Sequence, residues 1–249
     1  MKWQHALKDY QLFLKIERGL TKNTIDSYTR DIQKLMLFLE KNEVSVSPIE
    51  IDSKIIQQFI YEVAKNVQPT TQSRVISGLR NFFDYLIFED YRSENPTDLI
   101  ETPKIGRKLP DTLSENEIND LINAIDLSHP QGERNRTILE TIYSCGLRVS
   151  EVISLKISDL FFEEGFVKVL GKGNKERYTP INYNTQKYIA FYLKDIRSHI
   201  SPQKGYEDAL FLSRRGKGLS RQMIFMIIKD LAIKIDLNKK QYTFEYYNL

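Results

Sequence analysis

Arg148 interrupts an otherwise apolar segment, Tyr143-Ser144-Cys145-Gly146-Leu147-Arg148-Val149-Ser150-Glu151-Val152-Ile153-Ser154-Leu155. The apolar run before it stops at Gly146, and a short helix with Val149, Val152 and Leu155 on one side starts directly after it. An arginine at such a junction requires an anionic partner. Two are open to it. Glu151 lies one helical turn on and would make a structural pair, whereas a phosphate would exploit the planar guanidinium fork for bidentate recognition. A second cationic candidate is Lys172, in Gly171-Lys172-Gly173-Asn174-Lys175-Glu176. The two glycines allow positive backbone angles and so a tight turn with a lysine at its tip. It is no P-loop, because the GxxxxGK[ST] pattern and the helix after it are missing. A third candidate is the densest basic stretch, Ser213 to Gln222. Its Arg214, Arg215 and Lys217 precede Ser220, which is placed to cap a helix with Arg221 and Gln222 in its first turn. Backbone amides there favour phosphate as well.

The elements that must carry these groups follow from periodicity. Trp3, Leu7, Tyr10 and Leu14 recur at helical spacing up to Arg18-Gly19. Ile25, Tyr28, Ile32, Leu35 and Leu39 define a second helix capped by Thr21 or Asn23. Asp52 or Ser53 opens a third, with Ile55, Phe59, Ile60 and Val63. Pro69 opens a fourth, cored by Val75, Leu79, Phe82 and Leu86, with Ser73, Arg74, Ser77 and Arg80 on the adjoining face. Between Pro69 and Phe88 the only acidic residue is Asp84, so this face can either lie on a DNA groove or be solvated surface. From residue 89 to 111 periodicity lapses around Pro96, Pro103, Gly106 and Pro110, which predicts a linker whose Lys104, Arg107 and Lys108 could track phosphates. Ser114-Glu115-Asn116-Glu117 is a capping box, and a longer apolar helix covers roughly 134–144. Residues 159–162, 166–170 and 177–181 read as three short strands of an antiparallel sheet. A helix from Thr185 to about Ile200 turns Tyr188, Phe191, Tyr192 and Ile196 inward. The last helix, 221–235, is apolar on nearly all sides and is expected to expose hydrophobic surface.

Composition narrows the function classes. Hydrophobic residues at 41% and charged residues at 28%, without low-complexity tracts, exclude a disordered chain. The chain carries 36 basic and 33 acidic residues, and the resulting charge of +3 permits a nucleic-acid partner without demanding one. No apolar run reaches the length of a signal or membrane segment, so a cytoplasmic protein without membrane association is expected. The single cysteine, Cys145, rules out an internal disulfide or a cysteine-based metal cluster.

Gly146-Leu147-Arg148-Val149-Ser150-Glu151-Val152, followed by Leu155-Lys156-Ile157-Ser158-Asp159-Leu160, resembles the first arginine motif of the tyrosine recombinase (phage integrase) family, in its Xer-type branch. The hairpin lysine comes next in the family's order, and the two motifs together are far more specific than either alone. Earlier in the chain, R-G-L-T-K-N-T-I-D-S-Y-T-R-D, S-R-V-I-S-G-L-R-N-F-F-D-Y-L and E-N-P resemble the family's helical core-binding domain. The resemblance implies a mainly α fold with a small antiparallel β-sheet, arranged as a two-domain DNA clamp. Residues 1–88 would form a four-helix core-binding domain, 89–111 a basic linker, and 112–249 an incomplete α+β catalytic domain. It implies double-stranded DNA as the partner, with self-association or an intact partner recombinase on that DNA, and neither metal nor cofactor. Lys22, Asn23 and Thr24 would lie near the DNA backbone and Arg74 and Arg80 near the groove, with Ser73 and Ser77 beside them. Arg214, Arg215, Lys217, Ser220, Arg221 and Gln222 would also lie on DNA. Arg148 would hold nonbridging phosphate oxygens and Lys172 would act as general acid.

The resemblance fails after Lys240. The family continues with a segment like P-H-T-F-R-H, and later a nucleophilic tyrosine that is joined to the 3′ phosphate. With Thr243-Phe244 kept in register, Tyr242 replaces the histidine and Glu245 replaces the second arginine, where a carboxylate repels phosphate. His5, His129 and His199 lie in no matching motif. Tyr246 and Tyr247 fall where the histidine-arginine helix should be. The chain is therefore expected to be truncated before the second arginine motif, to bind DNA, and to be incompetent for cleavage alone. The competing readings are a fragment of an active recombinase, and a helical DNA-binding regulator in which Arg148 and Lys172 are structural.

Overall fold

The computed structural model describes residues 1–106, 112–171, 173 and 175–237. The chain divides into two compact units, 1–107 and 108–249, and each closes its own hydrophobic core.

The first unit consists of four helices, α1 (Trp3–Ile16), α2 (Lys22–Lys41), α3 (Ser53–Asn66) and α4 (Pro69–Phe88). Their starts follow local chemistry. Asp52 Oδ1 accepts from the Ile55 amide at 2.9 Å, and Pro69 occupies the first helical position of α4, where its missing N–H costs nothing. Tyr10, Phe82 and Phe83 are fully buried, with the Tyr10 and Phe82 rings edge to face at 5.2 Å. Ile56 and Ile76 also join the core, although Ile55 and not Ile56 was expected there. The carboxylate of Asp31 on α2 is buried as well and meets Arg74 of α4. A Cβ on Gly78 would stand 2.7 Å from Asp31 Oδ2, so that glycine lets α2 and α4 approach closely.

The span 89–111, expected as a linker, is fastened to this unit through its first half. Arg92 donates to the carbonyls of Pro48 and Ile51 at 2.8 and 2.9 Å. Asn95 donates to Asp84 Oδ1 at 2.6 Å, and Ile100 is buried in the helical core. These contacts join the segment to distant parts of the chain, and periodicity cannot register them. Arg107 and Lys108 lie outside the described residues.

The second unit starts with α5 (Glu115–Asn123), whose capping box is complete: Ser114 N donates to Glu117 Oε2 at 2.7 Å, and Glu117 N donates to Ser114 Oγ at 3.3 Å. Helix α6 (Gly132–Cys145) ends at Gly146, whose φ of +58° is the left-handed cap that glycine adopts without strain. The short α7 (Val149–Ser154) follows. A three-stranded antiparallel sheet comes next, in the order β1 (Leu160–Phe161), β2 (Phe166–Leu170) and β3 (Glu176–Pro180). Helix α8 (Tyr183–Phe191) continues into a π turn, Tyr192–Ile196, and α9 (Arg221–Lys234) is last. No helix among the described residues is long and apolar enough to cross a membrane.

One expectation about facing is corrected. Phe191, expected inward, is 45% exposed, while Ile189 and Tyr192 are fully buried. Ile189, and not Phe191, joins Tyr192 in the core. Helix α9 exposes hydrophobic surface, as expected: it buries Ile224, Ile228 and Ala232, while Met223, Phe225, Met226 and Ile233 are exposed.

Candidate functional site

The site grows from the turn between α6 and α7. Leu147 is buried and anchors the turn, and Arg148 takes the extended N-cap position of α7 (φ −70°, ψ 153°). Glu151, three residues on, is 3% exposed. Its Oε2 accepts the Arg148 backbone N–H at 2.8 Å, and its Oε1 accepts Arg148 Nη1 at 3.0 Å. The structural partner considered for Arg148 is thus present, but it is shared. Arg177 of β3 donates Nη1 to Oε1 at 2.9 Å and Nη2 to Oε2 at 3.1 Å. Two guanidiniums face one carboxylate, which leaves one positive charge in excess. The Arg148 side chain is 46% exposed, so a cation pinned from below is open from above.

Arg177 was not singled out from sequence. The signal available was strand alternation. Arg177 pairs with Val169 across the β2–β3 ladder, and Val167 and Val169 face the core, which places Arg177 on the face turned toward the interior. The hairpin of β2 and β3 closes through Gly171 N to Lys175 O at 2.8 Å, with Gly173 at a φ of +75°. A Cβ at Gly171 would lie 3.8 Å from Glu151 Oε1 and 3.9 Å from Arg177 Nη1. The hairpin therefore begins within van der Waals reach of Glu151 and Arg177. Lys172 itself lies outside the described residues.

The basic stretch 213–222 forms a turn and a helix start with every predicted cation exposed, namely Arg214, Arg215, Lys217 and Arg221, as are Ser220 and Gln222. Ser220 Oγ accepts from Met223 N at 3.1 Å and caps α9 as expected. Beneath the turn is Arg134, another residue without a sequence signal of its own. It is 5% exposed, and its Nη1 donates to Leu212 O at 3.1 Å, while Tyr192 Oη accepts from Leu212 N at 3.2 Å. Burial, reinforced by nearby Arg214, lowers the Arg134 pKa. A Cβ at Gly216 would meet Ser201 O at 2.1 Å, so the turn packs tightly on its neighbour.

In the first unit Lys22 and Asn23 are exposed at the start of α2, and Thr24 shares a hydrogen bond of 3.0 Å with Thr21. The α4 candidates are engaged within the unit. Arg74 donates Nη2 to Asp31 Oδ1 at 2.8 Å and Nη1 to Ser27 Oγ at 3.1 Å, yet its side chain is 45% exposed. Arg80 Nη2 donates to Ile100 O at 3.3 Å. Ser77 Oγ donates back to Ser73 O at 3.0 Å. The buried thiol of Cys145 is pushed up to about 11 by burial, as suits an apolar filler. Tyr242, Glu245, Tyr246 and Tyr247 lie outside the described residues.

Residues 111–245 match the phage integrase family, and residues 7–90 match the phage integrase N-terminal SAM-like domain. Tyrosine recombinase XerD of Staphylococcus epidermidis is 40% identical over 234 residues, covering 94% of this chain and 79% of that protein. Tyrosine recombinase XerD of Oceanobacillus iheyensis is 38% identical over 237 residues, covering 95% and 80%. Among solved structures, a lambda integrase (75–356) dimer bound to a COC′ core site superimposes with a TM-score of 0.75 at 18% identity, covering 98% of this chain and 86% of that one. XerH bound to its difH substrate superimposes with a TM-score of 0.70 at 20% identity over 89% of this chain, which spans 66% of the XerH chain. At these identities the structural likeness carries the fold.

Proposed function

We propose, from the premise that this chain belongs to the phage integrase family and to its Xer-type branch of site-specific tyrosine recombinases, that Arg148 and Lys172 grip one backbone phosphate of duplex DNA. The observation that carries this reading is the unequal charge at Glu151, where two arginines share one buried carboxylate and Arg148 remains half exposed. A phosphodiester supplies the missing negative charge, and its nonbridging oxygens suit the part of the guanidinium fork that Glu151 does not occupy. Lys172, which follows in the family's motif order, would protonate the departing 5′ oxygen. The exposed Arg214, Arg215 and Lys217, and the α9 start with Ser220, Arg221 and Gln222, would hold flanking phosphates. Their contacts position the protein on the duplex and do not read its sequence.

In the first unit Lys22, Asn23 and Thr24 would meet the backbone at the start of α2, whose first turn contains no acidic residue. Ser73, Arg74, Ser77 and Arg80 would face the groove, with Arg74 sharing its guanidinium between Asp31 and DNA. Self-association on DNA, or pairing with an intact recombinase, would cover the exposed apolar residues of α9.

The reading is tested by titrating the 249-residue polypeptide against a recombination half-site at several salt concentrations. Arg148→Ala should lower the slope of log K against log salt by about 0.9, the share of one phosphate contact, and an unchanged slope would overturn it.

A further inference from the structure

We infer that Arg177 is a positioning residue that keeps Arg148 available to phosphate by occupying the carboxylate that would otherwise claim it. The inference rests on the reading of Arg148 as a phosphate ligand. Glu151 presents four hydrogen-bond positions, and each is filled: Oε1 by Nη1 of Arg148 and Nη1 of Arg177, Oε2 by the Arg148 backbone N–H and Nη2 of Arg177. The fork-to-fork pair with both carboxylate oxygens belongs to Arg177, and the Arg148 guanidinium is held through one nitrogen only. A buried carboxylate seeks the most charge-assisted contacts it can reach. Without Arg177, a position on each carboxylate oxygen would be vacated, and Arg148 would turn its fork down onto Glu151. The phosphate would then have to compete with a carboxylate three residues away on the same turn.

Position strengthens the case. Arg177 lies on β3, five residues after Lys172, and opposite Val169 on the core-facing side of the hairpin. Glu151 and Arg148 lie on α7 and its N-cap. The Arg177–Glu151 pair is thus a strut between the hairpin that bears the lysine and the helix start that bears the arginine. With Nη1 and Nη2 both committed to Glu151, Arg177 touches the phosphate only through its neighbour.

Half-site binding as a function of salt separates positioning from direct contact. Arg177→Ala should lower the log–log slope by about 0.9 and affinity about tenfold, matching Arg148→Ala. Arg177→Ala combined with Glu151→Gln should restore the slope, because an uncharged amide no longer draws Arg148 away. A direct phosphate contact by Arg177 predicts no restoration, and a purely structural role predicts a lower melting temperature with an unaltered slope. Either result overturns the inference. If Arg177→Ala alone does not fold, the double variant decides: the wild-type slope supports positioning, and a slope lower by about 0.9 refutes it. If Arg148→Ala itself leaves the slope unchanged, the phosphate reading fails and this inference with it. A drop for Arg148→Ala without one for Arg177→Ala overturns the inference alone.

Discussion

Gly78 and Asp31 illustrate how one side chain constrains another across two helices. Asp31 is fully buried, and its charge is tolerable there because Arg74 approaches from α4 and Lys34 stands one turn away at 3.8 Å. Gly78 is the reason the carboxylate fits, since any Cβ would crowd Oδ2 at 2.7 Å. Alanine is the better helix former by about 1 kcal/mol, yet overpacking costs about 1 to 3 kcal/mol. Gly78→Ala should therefore destabilise the first unit by roughly 1 kcal/mol, read as a lower urea midpoint at unchanged slope. A gain in stability would show that the α2–α4 contact is looser than the distances imply. The same pair explains why Arg74 could be picked out as a cation on an acid-poor face while its partner could not. Asp31 sits 43 positions earlier, and no local pattern relates the two.

Helix α9 shows how far periodicity reaches. It is apolar on nearly all sides in the sequence, and such a helix is ordinarily enclosed. Among the described residues only Ile224, Ile228 and Ala232 are enclosed, while Phe225 is 54% and Ile233 65% exposed. An apolar stripe of this kind promotes association. Light scattering of the 249-residue polypeptide should show concentration-dependent association, and Phe225→Ser with Met226→Ser should shift it toward monomer. A monodisperse monomer before substitution would count against a docking role for this face. The capping box of α5 and the Ser220 cap of α9 were readable because both partners lie within three residues of each other. The facing of α8 was not, because Phe191 and Ile189 are both apolar and only tertiary packing decides that Ile189 is the one buried.

The molecule as a whole consists of two separately cored units, and that has a measurable consequence. The core residues from Ala6 to Ile100 lie within the first unit, including those contributed by the segment after α4. A polypeptide of residues 1–106 should unfold in a single cooperative thermal transition, whereas one ending at residue 88 should melt lower, having lost the Arg92, Asn95 and Ile100 contacts. Equal melting points would show that the segment after α4 adds nothing to this unit. Helix positions, the three strands and the order of Arg148, the hairpin and the basic stretch were legible from residue order, because caps, periodicity and glycine turns act over three to seven positions. The family membership was legible for the same reason, as its motifs are contiguous strings. Arg177 beneath Arg148, Arg134 beneath the basic turn, and Arg74 on Asp31 were not, since each bond joins residues 26 to 78 positions apart. Those long-range contacts turn Glu151 from the private partner of Arg148 into a shared one, and only a folded chain brings the second arginine to it.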